Sequence, residues 1–245
     1  MIRIDRHKGV AQACALVLSL AAGSARADSS GMEWLGIAYL WGSGITIDAR
    51  DQSIGLDFED IVDNLEMSFM GHVEAQGDTL GGFVDVLFVN VGARETRQLA
   101  ELNVDNDLTS MDIALVWSPG AERLTGSELY GGLRYVSNDF RIVVDPIPPG
   151  PPESISQSDR SFNDFLLGAR YIAPLSDRWR MTVQADLSGG ETEGTWSIGL
   201  YGSYLMGQHR LIAGYKHFEM DLEGRGGNDL TVTLTGPVIA YGYRF

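Results

Sequence analysis

From residue 33 onward, apolar and polar side chains alternate at every second position in run after run, and clusters of Gly, Asp, Asn and Pro separate the runs. A period of two marks a strand with one apolar and one polar face. The runs predict ten strands, at about 33–42, 65–75, 79–91, 108–117, 128–138, 161–172, 178–188, 195–205, 210–221 and 231–245. In "RMTVQADLS", Met181, Val183, Ala185 and Leu187 share a face opposite Arg180, Thr182, Gln184 and Asp186. In "SMDIALVW", Met111, Ile113, Leu115 and Trp117 oppose Ser110 and Asp112. Only "DFEDIVDNL" has helical spacing, through Phe58, Ile61, Val62 and Leu65 after a capping Asp57.

The connections have their own rhythm. Links after the second, fourth, sixth and eighth runs are short, at 76–78, 118–127, 173–177 and 206–209. Those after the first, third and fifth are long and acidic or proline-rich, at 44–64, 92–107 and 139–160; the link after the seventh is short where a long one was due. Short turns at one end and long loops at the other are the habit of outer-membrane barrels. The expected fold is therefore all-β, a transmembrane antiparallel up-and-down barrel of ten strands. A barrel of eight strands plus a loop hairpin is the alternative. An even number puts both chain ends on the short-turn side.

Residues 1–27 have a basic start, an apolar stretch over 10–22 and a small-x-small Ala25-Arg26-Ala27, the three parts of a secretory signal peptide. The barrel would then occupy 28–245. The apolar stretch falls short of the roughly 20 residues of a spanning helix. Cys14 lies in this segment, so the remainder holds no cysteine, and a disulfide scaffold and thiol chemistry are excluded. The segment carries four of the 18 basic and one of the 33 acidic residues, which takes the net charge from −15 for the whole chain to −18 for the rest. Such a surface repels nucleic acid and attracts divalent cations, with the acidic loops as their expected partners.

Alternation alone does not say which face is wet, since a soluble calyx also alternates. The polar face carries Glu66, His72, Glu74, Asp85, Asp112, Asp164 and Asp186 against Arg134, Arg170, Arg180, Lys216 and Arg244. That set is near balance in a strongly acidic chain, as charges confined in a narrow lumen must be. Glycines at 36, 42, 81, 132, 168, 199, 214 and 242 share this face, where they would make room for long side chains, although Gly71, Gly82, Gly131 and Gly202 do not. Tyr39, Trp41, Trp117, Tyr135, Tyr171, Trp179, Tyr215, Tyr241, Tyr243 and Phe245 fall on the apolar face. They read as interfacial girdles of a membrane barrel or as the core of a soluble one.

The chain closes on "IAYGYRF", with Ile239, Tyr241, Tyr243 and Phe245 in one row. With the signal segment, strand runs and loop asymmetry, this ending resembles the small outer-membrane barrel proteins of Gram-negative bacteria, the OmpA/OmpX/OmpW-like group. The resemblance implies localisation in the cell outer membrane, contact with its lipid and lipopolysaccharide, and recognition of the terminal row by the barrel assembly machinery. The stretch 56–91, beginning "LDFEDIVDNLEMSF", is similar to a group of largely uncharacterised bacterial barrels in which such a loop precedes a strand carrying an inward Asp, here Asp85. The loop reads as a short helix over the barrel mouth or as an ion site of Asp57, Glu59, Asp60 and Asp63. It lacks EF-hand spacing.

Chemistry is sparsely provided for. Beyond the first 27 residues only His72, His209 and His217 remain. His209 falls in a turn, and His217 is followed by Phe218 and Glu219 where a lipid A deacylase-like motif would place serine. No zinc spacing occurs, and no catalytic residue, metal ligand or cofactor is expected. The expected role is structural or interactive at the cell surface, with a largely plugged, salt-bridged lumen. A narrow porin-like channel for small solutes is the alternative, and a surface hydrolase of lipid A or peptide the third.

Overall fold

A strand carrying an unbroken apolar face must shield it from water, and here that face points away from the enclosed space. The computed structural model describes residues 31–49, 52–56, 65–97, 100–120, 125–146, 154–223 and 229–245. They form twelve strands: β1 (Glu33–Trp41), β2 (Gly44–Ala49), β3 (Gln52–Leu56), β4 (Leu65–Gln76), β5 (Leu80–Arg97), β6 (Ala100–Trp117), β7 (Gly126–Pro146), β8 (Ser154–Pro174), β9 (Trp179–Gly190), β10 (Gly194–Met206), β11 (His209–Glu223) and β12 (Asp229–Arg244). All pairings are antiparallel and follow chain order from β4 to β12; β1 pairs with both β4 and β12 and closes a ten-strand barrel. Closure leaves no open sheet edge along the paired length of β1. Eight barrel strands plus a loop hairpin do not describe this sheet.

The ten expected strands are all present, but several are longer than the alternation indicated. β5 and β6 pair from Leu80↔Trp117 to Arg97↔Ala100, and β7 and β8 from Gly126↔Ile172 to Val144↔Ser154. Most of the loops expected at 92–107 and 139–160 are therefore hairpin arms. A strand needs about 9–11 residues to cross the hydrocarbon, and the 21 of β7 and of β8 extend well beyond that. Past the lipid neither face must be apolar, so the two-residue signal fades while the backbone ladder continues. Within the loop expected at 44–64, β2 and β3 form a hairpin whose first arm pairs with β12. Residues 57–64 and 1–30 lie outside the described residues, so the helix or ion site at Asp57, Glu59, Asp60 and Asp63 and the signal segment do too.

The start of β1 and the end of β12 sit together at the short-turn end, where Trp34 and Phe245 exchange backbone hydrogen bonds at 3.2 and 3.1 Å. The β10–β11 turn is Gly207-Gln208, and Gly207 takes a left-handed φ of 67° that glycine accommodates without strain.

The exterior carries a belt of Leu40, Ile113, Leu115, Leu133, Phe165, Leu167, Leu200 and Ile239, with Leu115 and Phe165 each 75% exposed. Leaving one such side chain in water rather than an apolar medium forgoes about 1.5–3 kcal/mol. A belt of them is a lipid-facing surface, and the soluble calyx is excluded. Trp117, Tyr171, Trp179, Tyr241 and Tyr243 crowd its turn-end border, the place of an aromatic girdle.

β1 corrects the expected parity. Tyr39 and Trp41, expected outside, pair with the inward Ala240 and Val238; Trp41 is buried with Met70, Leu87 and Leu234. Gly36, expected inside, lies against the Phe245 ring. The stretch "EWLGIAYLW" is apolar on both faces, so its alternation carried no direction.

Candidate functional site: a braced lumen

Successive inward positions of β4 to β8 place His72, Asp85, Asp112, Arg134 and Asp164 as direct cross-strand neighbours. On this scaffold the side chains build two braces. In the one nearer the turns, Arg170 on β8 holds Glu74 on β4 through Nη1 at 2.9 Å and through Nη2, and donates from Nε to Glu128 on β7. Three strands lie between β4 and β8, so this bond is a chord across the barrel. Gln76 donates to Glu128 at 2.7 Å and to Ser118, whose hydroxyl donates to Glu128 at 2.8 Å. Glu128 is completely buried and Glu74 is 2% exposed.

The second brace centres on Arg134. Its guanidinium forks onto Asp112 at 2.8 and 2.7 Å, reaches Asp186 on β9 at 3.0 Å and Thr195 on β10 at 3.0 Å. Asp186 also accepts from Ser197 at 2.6 Å and Tyr130 at 3.3 Å. Asp164 holds the β9–β10 connection: one oxygen accepts from the backbone N–H groups of Glu191 and Thr192, the other from the Ser188 and Thr192 hydroxyls. Each charge of these two braces thus has the hydrogen-bonded partners its desolvation demands.

His72 links the two regions. It faces Asp85 at 3.1 Å and Glu74 at 3.3 Å, and the Tyr39 hydroxyl donates to Asp85 at 2.7 Å. Several inward glycines make this crowding possible. A Cβ at Gly168 would overlap the Tyr130 ring, and one at Gly214 would meet Tyr201 Cδ1 at 2.5 Å.

Of the twelve residues expected in the lumen, His72, Glu74, Asp85, Asp112, Arg134, Asp164, Arg170 and Asp186 meet in these contacts. Lys216 faces inward with its ammonium 5.0 Å from the Trp41 ring centre. Arg180 and Arg244 stand at the turn-end rim instead. Arg180 donates to the carbonyls of Ser176 and Trp179, and the half-exposed Arg244 approaches Glu33 at 3.7 Å. A rim position is solvated, so neither needs a lumen partner. Glu66 falls in β4 at the register shift between Leu65 and Met67, and its side chain lies outside the described residues. The terminal row behaves as one outward strip: Ile239, Tyr241 and Tyr243 are exposed, and Phe245 stacks on Tyr243 and Trp34 at 6.0 and 6.4 Å.

Sequence reasoning missed Gln76, Ser118, Glu128 and Arg210. Glu128 and Arg210 lie on the inward parity of their strands and could have been found by extending the charge row to the strand ends. Gln76 and Ser118 are uncharged, and nothing in the pattern separates them from turn residues.

A cavity of about 170 Å³ remains between the braces and the β11–β12–β1 wall. That wall is apolar, with Leu35, Ile37, Ile212, Val238 and Ala240, and Tyr39, His72, Asp85, Lys216 and Arg210 also line the space. Among the described residues no cluster of three or more side chains suits a metal ion. His217 faces outward, its ring tilted against Trp196 at 4.6 Å and bonded to Thr235 at 2.6 Å, and His209 sits beside Tyr241 and Tyr243 in the turn region.

A closed ten-strand barrel with a lipid-facing belt and a polar, braced interior defines an integral β-barrel of the outer-membrane type. No family model and no curated protein matches the sequence. Among solved structures the chain is similar to the outer membrane protease OmpT of Escherichia coli, over 87% of this chain and 97% of that one, at 8% identity and a TM-score of 0.54. The translocator domain of the autotransporter NalP from Neisseria meningitidis matches over 98% of both chains at 13% identity and a TM-score of 0.41. Neisserial surface protein A matches over 88% and 98% at 16% identity and 0.33. The OmpT likeness shows a shared fold and carries no activity across.

Proposed function

We propose that this protein is a non-catalytic outer-membrane barrel whose lumen is closed by its own ion pairs and which serves a structural or interactive role at the cell surface. The observation that carries the closure is the Arg170 chord, which ties Glu74 and Glu128 across the barrel. The Arg134 brace spans a second level. An open water column would need both to part, giving up the direct hydrogen bonds that join their charges. The outward role rests on the β5–β6 and β7–β8 hairpins, whose arms project beyond the lipid-spanning length and present a surface outside the membrane. Lipopolysaccharide and divalent cations at the acidic outer segments, and the assembly machinery at the terminal row, are the partners this reading carries.

The test is a liposome-swelling assay with arabinose and glycine as small solutes. Proteoliposomes should swell no faster than protein-free vesicles. Rapid swelling would replace the closed barrel with the narrow solute channel. Turnover of lipid A or a peptide library, abolished by His72→Ala, would establish a hydrolase instead.

A further inference from the structure

The two arginines of the braces are matched by carboxylates; Arg210 is not. It faces inward on β11, opposite Gly242 on β12 and next to the β10–β11 turn. Its stem lies across Gly242, where an added Cβ would meet Arg210 Cγ at 2.8 Å and Ile37 Cγ1 at 3.3 Å. Among the described residues no carboxylate forms an ion pair with it. The anion Glu74 lies in the same lumen region but is already engaged by Arg170 and His72. Arg170 is matched by Glu74 and Glu128 and Arg244 by Glu33, so Arg210 is the guanidinium left over at the turn end of the lumen among the described residues. A cation without a carboxylate of its own attracts small anions.

Beside this guanidinium lies the apolar wall of Ile37, Ile212, Val238 and Ala240, enclosing part of the cavity of about 170 Å³. A dry apolar cavity of ~150 Å³ holds one benzene. By volume this space, whose walls are charged as well as apolar, has room for a single six-membered ring or a chain of comparable size. A guanidinium presents parallel N–H donors that match the two oxygens of a carboxylate. We infer that the lumen holds a binding site for a small monocarboxylate with one apolar ring, its carboxylate on Arg210 and its ring against Ile37, Ile212 and Ala240. This site lies beside the braces and does not require them to open, so it is separable from the closed-lumen reading.

The test is isothermal titration of benzoate, with benzyl alcohol as the uncharged control, into the full barrel in phosphatidylcholine nanodiscs. Benzoate should bind saturably and at least ten-fold more tightly than benzyl alcohol. Arg210→Gln should remove that difference, and Arg210→Lys should retain part of it. Ala240→Phe, which fills the cavity and keeps the guanidinium, should weaken both probes and guards against a folding defect in the Arg210 variants. Equal binding of the two probes, undiminished benzoate binding by Arg210→Gln, or no saturable binding by the parent barrel would each overturn the site. A parent barrel that conducts ions yet binds benzoate through Arg210 would sink the closed lumen and leave this site standing.

Discussion

At the scale of single residues, the interior shows how a narrow lumen handles charge. Arg170 stands between Glu74 and Glu128, both almost wholly withdrawn from solvent. Arg170→Met would leave two buried carboxylates facing each other. Breaking a buried pair in this way costs about 3–5 kcal/mol. The urea midpoint of the folded form, followed by its shifted gel mobility before boiling, should fall accordingly. The triple variant Arg170→Met, Glu74→Gln, Glu128→Gln removes the charges together and should recover most of that loss; a single variant as stable as the parent would contradict the brace. Asp164 acts more locally, since its partners are the amides and hydroxyls of the β9–β10 connection. Asp164→Ala strands two amides and should cost about 1–3 kcal/mol. Faster hydrogen exchange should be confined to residues 188–195, and a spread of exchange across the other hairpins would argue against so local a role.

At the scale of elements, the sequence was most legible where lipid forces the issue. In β9 the row Met181, Val183 and Leu187 is exposed to the outside and Asp186 and Ser188 are buried inside, as the alternation indicated. Legibility failed where that contrast vanishes. β1 is apolar on both faces because its inner side forms the wall of the cavity, and no parity argument could have placed Tyr39 inside. The outer halves of β5 to β8 leave the lipid, so Arg94, Glu95, Asp105 and Arg141 sit in ladder positions while reading as loop. The braces were legible only as a balanced set of charges. Which carboxylate meets which guanidinium depends on the stagger of the strands, which joins β4 to β8 across the lumen and is not written in any local pattern.

At the scale of the whole molecule, closure depends on the last strand. β12 pairs with β11 along fifteen residues and with β1 along seven, and Phe245 secures the corner by its stacking on Trp34 and Tyr243. Deleting Phe245 removes one terminal contact from a sheet that is otherwise intact. Refolded stability in detergent should change little, while the fraction inserted into the outer membrane of expressing cells should fall sharply. Normal insertion of the truncated chain would show that the terminal row is not an assembly signal. The central claim, a barrel whose interior is shut by its own ion pairs, is tested most directly by planar-bilayer conductance of the purified protein. The account predicts no steady unitary conductance for the parent chain at neutral pH, with discrete openings once both Arg170 and Arg134 are replaced by alanine in a barrel that still folds. Stable open-channel steps from the parent chain would contradict it.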